Sequence, residues 1–408
     1  MPATPRPPNA LLLALALSLG AAVAIGVTRF AYGLLLPPMR ADLGWSYTLA
    51  GAMNTANALG YLLGALGAPL AMRGLGPTRL LLVGALLGSV FMALSGFFTA
   101  AIPLLLQRLL AGIASAFVFV AGGLLAARLA AIEPHRGGLL LGLFYGGSGL
   151  GIVASALMVP VVLQAAQAHS HGWAWAWWAL ALVCLMATGV LALAARALQQ
   201  MSDRAESFNA KVSATPSRPF VWREFGYALA GYGLFGLGYI GYMTFVIALL
   251  REQGASGTFV TVFYALLGVA VAVSSRVWAK LLDRFKGGQA LAILNAVLGV
   301  VTVLPALTSA WPVVLLSGVV FGGVFLSVAA STTALVRHNL PPGAWGAGIG
   351  AFTVVFAVGQ IVGPTMVGWI ADGPGGLPRG LIYSAVALWL GAALAWRQRA
   401  IGGQALPR

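Results

Sequence analysis

The sequence has 408 residues, of which 60% are hydrophobic and only 8% are charged, and its mean hydropathy is +0.93. This composition lies far outside that of a water-soluble domain and indicates a protein that crosses the membrane many times. The single cysteine, Cys184, excludes a disulfide framework and a thiolate metal cluster, so we expect neither a cofactor nor redox chemistry.

Twelve apolar segments are long enough to cross a hydrocarbon core of about 30 Å as helices. The first could instead be a cleaved signal peptide, but its apolar run continues to Leu36, which favours an uncleaved helix. The predicted helices cover residues 10–36, 46–71, 78–98, 102–129, 138–163, 173–195, 224–250, 257–281, 289–309, 312–336, 344–371 and 379–397.

The net charge of +15 comes from basic residues that are distributed unequally between the two sides of the predicted membrane spans. Seventeen of the 23 lysines and arginines fall in loops or termini on one side, three on the other (Arg40, Arg251 and Arg379) and three inside spans (Arg29, Arg108 and Arg276). The positive-inside rule therefore predicts cytoplasmic N and C termini. This distribution argues against a nucleic-acid partner. Only three of the basic residues are lysines, which is typical of GC-rich bacterial genomes, so we expect a multi-pass protein of the bacterial inner membrane.

The longest polar segment, residues 196–222, divides the chain in two. On either side, "ARLAAIEPHRGGLLLGLFYGGSGLGI" and "ALVRHNLPPGAWGAGIGAFTVVFAVGQIVG" share an arginine, a proline and then a glycine-rich helix. We therefore predict an all-α integral membrane protein, with six-helix bundles at 1–195 and 223–408 and a cytoplasmic linker between them. Such repeats place a site between the halves near the midplane.

Three motifs in the expected helices resemble those of the major facilitator superfamily over nearly the whole chain. They are "QRLLAG" on the fourth helix, "LLDRFKGG" after the eighth and "GQIVGPTMVGWIAD" on the eleventh. "RFAYGLLLPPMR" and "YGLFGLGYIGY" look like the YbfB/YjiJ-type branch. The resemblance implies a transporter that rocks two halves about a central site, with conformational gating by Gly112, Asp283, Arg284, Gly363 and Pro364.

Two positions depart from the superfamily pattern. Met72 replaces the acid of the first cytoplasmic loop motif, whereas Asp283 keeps it in the second half and is expected near the start of the fifth helix around Gly137. Gly147 stands where drug:proton antiporters usually carry proline, so the antiporter interpretation loses support.

Two of the arginines inside predicted spans lie at similar depth. Arg29 is about 12 Å from Pro37 at the outer end of the first helix, and Arg108 is about 10 Å from the outer end of the fourth. Arginine at a helix centre costs roughly 2.5 to 3.5 kcal/mol on insertion scales, so it usually faces a cavity or a partner. All eight acids fall in loops or at helix ends: Asp42, Glu133, Asp203, Glu206, Glu224, Glu252, Asp283 and Asp372.

We therefore expect an anionic substrate to supply the missing counter-ion through bidentate hydrogen bonds. The alternative is structural: Arg29 could bond backbone carbonyls or snorkel outward, and Arg108 could stabilise helix packing. The sequence also offers polar residues at helical spacing that could bind substrate or join helices: Tyr32, Asn54, Asn57, Tyr232, Tyr239, Tyr242 and Gln360.

Other functions find less support in the sequence. No nucleophile with a base, no carboxylate pair and no metal cluster can be assembled within the predicted spans, which argues against an enzyme. The four histidines lie in loops, so a midplane histidine relay is not expected and the coupling ion stays open. We predict a monomeric carrier of a small organic anion; efflux of lipophilic neutral or cationic compounds is the alternative.

Overall fold

The computed structural model describes residues 9–209, 220–341 and 344–401. These residues form long helices that pack side by side. We name them α1 (Ala10–Leu43), α2 and α3 (residues 47–75 and 77–95 of the stretch Tyr47–Ser95), α4 (Ala101–Ile132), α5 (Gly137–Ala165), α6 (Trp173–Asn209), α7 (Gly226–Glu252), α8 (Gly257–Val277), α9 (Gln289–Leu307), α10 (Trp311–Asn339), α11 (Trp345–Asp372) and α12 (Gly376–Trp396).

Eleven helical stretches in the described part of the chain are long and apolar enough to cross a membrane. The longest, Tyr47–Ser95, has 49 residues and breaks at Gly76, whose φ of 72° and ψ of 163° are not helical. A straight helix of that length would measure about 74 Å, more than twice a hydrocarbon core. The protein is therefore a multi-pass membrane protein in which this stretch changes direction at Gly76.

Two helices extend further than the sequence predicts. α1 continues past Leu36, through Pro37 and Pro38, and ends where Gly44 adopts the left-handed conformation with φ of 65°. Glycine carries no Cβ and enters this region without strain, so it ends the helix there. α6 runs to Asn209, so residues 196–209 of the predicted linker are helical, and residues 210–219 lie outside the described residues.

Glycines set the closest helix contacts because a side chain at these positions would collide with a neighbouring backbone. A Cβ on Gly147 of α5 would lie 2.0 Å from the backbone oxygen of Ser18 in α1. A Cβ on Gly112 of α4 would lie 2.2 Å from the oxygen of Asn57, and one on Gly363 of α11 would lie 2.6 Å from that of Leu237. The glycine-rich segments of the sequence therefore serve packing in this structure.

The most extensive contacts between the N-terminal half (α1–α6) and the C-terminal half (α7–α12) are those of α1 with α7, α2 with α11, and α5 with α8. The α2–α11 contact, which we call the outer seam, lies at the helix ends that the charge distribution assigns to the outer face. Asp372 at the end of α11 accepts hydrogen bonds from the backbone nitrogens of Tyr47 (2.7 Å) and Thr48 (2.9 Å) and from the Thr48 hydroxyl (2.6 Å). Deeper in the seam, the hydroxyl oxygens of Thr55 and Thr365 are 2.8 Å apart.

Candidate functional site

The middle of α1 is a π-helical segment, Ala22–Phe30, and it contains Arg29. Such a segment changes the backbone pairing and leaves carbonyls available to other partners, and π-bulges are frequent at functional sites. The Thr28 oxygen accepts a bond from Arg108 (2.7 Å), and the Phe30 oxygen accepts one from the Tyr264 hydroxyl (2.7 Å). The sequence predicts a helix here but gives no signal for its π-helical geometry.

Arg29 points between the two halves and is only 4% exposed. Its Nη2 donates to Oε1 of Gln360 at 2.7 Å, the one hydrogen bond that its side chain makes to the described residues. The guanidinium carbon lies 5.4 Å from the ring centroid of Tyr61 and 6.0 Å from that of Phe30. Most N–H donors of this guanidinium therefore remain available to a ligand.

Arg108 is held more completely within the N-terminal half and is 2% exposed. Its Nη1 donates to the Thr28 backbone oxygen at 2.7 Å, and its Nη2 donates to Oδ1 of Asn54 at 3.1 Å. The guanidinium carbon also lies 5.1 Å from the Tyr32 ring centroid and 5.6 Å from the Trp177 ring centroid, while Nε has no hydrogen-bond partner in the part of the chain that the structure describes. Arg108 thus joins α4 to the π-helical segment of α1.

Both guanidinium groups have hydrogen-bond partners, and the acceptors are neutral oxygens. Neither guanidinium pairs with a carboxylate within residues 9–209, 220–341 and 344–401. The two arginines lie at a similar depth along the helices, since Arg108 donates to the backbone oxygen of Thr28, the residue before Arg29. Their positive charges are therefore solvated by dipoles but not neutralised. The Arg276 side chain lies outside the described residues.

Each arginine begins a chain of side chains that ends on a hydroxyl of α7, and we call these chains the two amide relays. In the first, Arg29 donates to Gln360, whose Nε2 donates to the Tyr239 hydroxyl. In the second, Arg108 donates to Asn54, whose Nδ2 donates to the Thr244 hydroxyl at 2.8 Å. The sequence predicts Gln360, Asn54 and Tyr239 as candidates but not Thr244.

Aromatic rings line the C-terminal half beside the first relay, and we call this group the aromatic wall. Tyr239 stacks on Phe235 at 4.8 Å between centroids, on Phe356 at 5.6 Å and on Phe325 at 5.8 Å. Tyr232 stacks on Phe356 at 4.9 Å and on Phe235 at 5.5 Å. The sequence predicts the α7 members from their spacing, whereas Phe325 and Phe356 come from α10 and α11 and carry no local signal.

Three other predicted site residues have structural partners. The Tyr32 hydroxyl donates to the Ala50 oxygen at 2.8 Å, and Asn57 donates to the backbone oxygen of Arg108, not to its guanidinium, at 3.1 Å. Tyr242 stacks on Phe321 at 4.1 Å, and its hydroxyl pairs with that of Ser317. Tyr32 and Asn57 therefore support Arg108, while Tyr242 belongs to the packing of α7 against α10.

The predicted gating residues fall into two groups. Gly112, Gly363 and Pro364 lie at helix contacts, the last with its backbone oxygen 2.2 Å from where a Cβ on Gly51 would sit. Asp283 and Arg284 belong to a short helix, Ala279–Arg284, and are exposed; Asp283 has no hydrogen bond or ion pair to the described residues. Its placement near the start of α5 stays a prediction.

A separate cavity of about 960 Å³ opens between the ends of α1, α5, α7 and α8 at the predicted outer face. Its lining includes Asp42, His171, Trp173 and Arg251, but neither Arg29 nor Arg108. Asp42 accepts hydrogen bonds from Trp173 Nε1 (2.5 Å) and contacts Nδ1 of His171 (2.6 Å). These bonds tie the end of α1 to the start of α6.

A family model described as "Uncharacterised MFS-type transporter YbfB" matches residues 21–396. The chain belongs to this family. The resemblance expected from the motifs is thereby confirmed: the protein is an MFS-type transporter that works by alternating access, and its relatives are transporters rather than enzymes. No curated relative matches the sequence.

Solved MFS transporters share the fold of this transporter at low sequence identity. A bacterial homolog of the human lysosomal transporter Spinster, inward-facing and unoccupied, is 15% identical, with a TM-score of 0.70 and coverage of 95% of this chain and 96% of that one. The nucleoside transporter NupG is 13% identical, with a TM-score of 0.68 and coverage of 96% and 99%. The xylose transporter XylE from E. coli, partially occluded and inward open, is 13% identical, with a TM-score of 0.71 and coverage of 97% and 99%.

Proposed function

We propose that this transporter carries a small organic anion, of the carboxylate or sulfonate class, across the bacterial inner membrane. Arg29 binds the anionic group within the positive field of Arg108. The observation that carries the proposal is that two buried arginines, Arg29 of α1 (4% exposed) and Arg108 of α4 (2% exposed), lie at a similar depth. Neither pairs with a carboxylate of the described residues.

The neutral hydrogen-bond partners of the two arginines do not cancel their positive charges. An amide oxygen satisfies one N–H donor but does not cancel a unit charge, and two like charges at one level raise the cost of burial. A carboxylate or sulfonate presents two oxygens to the planar guanidinium and supplies the opposite charge. Anion binding between the halves therefore offsets the free-energy cost of burying two positive charges, which the neutral partners do not cancel.

The aromatic wall supports an organic substrate over a simple inorganic ion. Its rings adjoin Arg29 through Gln360 and Tyr239, so a ligand held by the guanidinium meets stacked aromatic faces on the side of the C-terminal half. Flat or apolar groups pack well on such faces. The residues proposed to contact substrate are Arg29, Tyr239 and Tyr232. Gln360 holds the Arg29 guanidinium, and the supporting residues are Arg108, Asn54, Asn57 and Tyr32.

The proposed transporter has twelve spans in two bundles. We infer twelve spans, by counting α2 and α3 separately across the break at Gly76, and cytoplasmic N and C termini from the basic residues. The transporter functions as a monomer whose bundles are residues 1–195 and 223–408, joined by a linker at 196–222. Asp283 and Arg284 act in gating on the cytoplasmic side.

Efflux of lipophilic neutral or cationic compounds is the second candidate, because the aromatic wall also suits such molecules. The neighbours NupG and XylE are named for nucleosides and xylose, but at 13% identity they inform on the fold alone. Two buried guanidinium groups without an acid repel a cation, which weighs against the cationic substrates. Resistance of overexpressing cells to several cationic dyes would favour this candidate over anion transport.

Thermal unfolding of the purified transporter with small ligands tests the proposal. Benzoate and benzenesulfonate combine a flat ring with an anionic group, and benzamide has nearly the same shape without the charge. A ligand that binds only the folded state raises the melting temperature, so we expect stabilisation by the two anions and not by benzamide. Equal stabilisation by benzamide would show that charge does not determine binding.

A further inference from the structure

The two amide relays differ in which of their bonds joins the halves. In the first, the bond between Arg29 of α1 and Gln360 of α11 crosses from one half to the other. In the second, Arg108 and Asn54 both belong to the N-terminal half, and the crossing bond joins Asn54 to Thr244 of α7. Separation of the halves along the outer seam would therefore release Arg29 but leave Arg108 with its partners.

We propose that Gln360 is a displaceable partner of Arg29: its amide holds the guanidinium while the halves are joined at the outer seam, and the substrate's anionic group replaces it when they separate. This inference rests on the proposed function and concerns the regulation of the same site. Arg108 is a positioning residue, because two oxygens of its own half hold it throughout.

The chemistry of the relay favours exchange of partners at Arg29. Gln360 offers a single neutral oxygen to Nη2, whereas a carboxylate offers a negative charge and two oxygens that can bind the planar guanidinium bidentately. Gln360 is 3% exposed, and its Nε2 donates to the Tyr239 hydroxyl in the same half. Its amide group therefore keeps this hydrogen bond after the anion has replaced it at Arg29. Neither partner is left without hydrogen bonds.

The exchange links substrate binding to conformation. In the conformation described, an anion must compete with Gln360 for Arg29, so it binds more weakly than in a state where that bond is broken. A bond to a charged group in a buried site changes this balance by about tenfold or more. The substrate therefore favours separation of the outer seam, and closure of the seam favours its release.

A disulfide across the outer seam reports its closure without any substrate. The Thr55 and Thr365 hydroxyl oxygens are 2.8 Å apart, so Thr55→Cys with Thr365→Cys brings two thiols to bonding range, and the one native cysteine, Cys184, is buried. In this background we expect Gln360→Ala to slow oxidative cross-linking about tenfold. Gln107→Ala is the matched control, since Gln107 is also a buried glutamine, 7% exposed, but makes no bond to the C-terminal half among the described residues.

The same variants, without the engineered cysteines, give the binding measurement with benzoate as the probe. We expect Gln360→Ala to strengthen benzoate binding up to about tenfold in thermal-shift titrations, because it removes the competitor of the anion. Gln360→Glu places a carboxylate on Arg29 permanently, so it should abolish benzoate binding and preserve cross-linking.

Two results would overturn the inference. Weaker benzoate binding by Gln360→Ala would make Gln360 an ordinary substrate ligand, and cross-linking equal to that of Gln107→Ala would remove its role between the halves. If no anion binds any variant while Gln360→Ala still slows cross-linking, the proposed function fails and displacement by substrate with it. In that case the bond between Arg29 and Gln360 contributes only to closure.

Discussion

Replacing Gly368 with alanine separates α11 from α2 at the outer seam. A Cβ at this position would lie 2.2 Å from the Tyr47 backbone oxygen, whereas ordinary contacts begin at 3.4 Å, so the two backbones must move apart by about 1.2 Å. The bonds from Tyr47 and Thr48 to Asp372, now 2.6 to 2.9 Å long, would then stretch beyond hydrogen-bonding range. At about 0.5 kcal/mol each for such exposed bonds, closure loses about 1.5 kcal/mol, or roughly tenfold.

Disulfide formation between Thr55→Cys and Thr365→Cys measures this loss in membranes. We expect Gly368→Ala to slow cross-linking about tenfold. Gly350→Ala, on the same helix but with no atom within 4 Å of the new Cβ, should leave the rate unchanged. Equal rates for the two variants would refute the claim that close backbone contact and the Asp372 bonds hold the seam together.

Three further substitutions follow from the same contacts. Asp372→Asn removes the charge that caps the start of α2 and should slow the seam cross-link about fivefold, or about 1 kcal/mol; an unchanged rate would mean that the carboxylate is not needed for closure. Arg108→Lys loses the planar fork that reaches two oxygens and should lower thermal stability by about 1–3 kcal/mol, whereas a purely substrate-binding Arg108 would leave the ligand-free melting temperature unaltered. Gly112→Ala collides with a backbone oxygen 2.2 Å away and should cost about 1–3 kcal/mol in thermal unfolding, while Gly67→Ala, which meets nothing within 4 Å, should not.

Much of the architecture could be predicted from the sequence, because length and hydropathy dictate which segments must form helices in a bilayer. The predicted ends of α1 and α6 were less accurate. Pro37 and Pro38 lack a backbone N–H donor, but α1 continues through them and does not end at Leu36. The residues after 195 are polar, but they continue α6 to Asn209. Helix ends depend on capping and on tertiary contacts that hydropathy does not report.

The sequence predicts which residues form the candidate site but not which of them bond to one another. The depth of Arg29 and Arg108 follows from counting residues along a helix. The structure brings the candidates Gln360 and Asn54 to them, but the sequence did not predict that these residues pair with the arginines. The link from Asn54 to Thr244 joins residues far apart in sequence and depends on how the halves dock. The π-helical geometry around Arg29 likewise arises from the choice of backbone pairing, which has no fixed sequence signature.

Uptake by proteoliposomes measures whether transport depends on the positive charge of Arg29. The measurement compares accumulation of radiolabelled benzoate with that of benzamide by the wild type, Arg29→Lys and Arg29→Gln. We expect benzoate transport by the wild type, partial retention by Arg29→Lys and a loss of at least about a hundredfold with Arg29→Gln, which keeps polarity without the charge. Benzoate transport by Arg29→Gln at the wild-type rate would show that transport does not depend on the Arg29 charge.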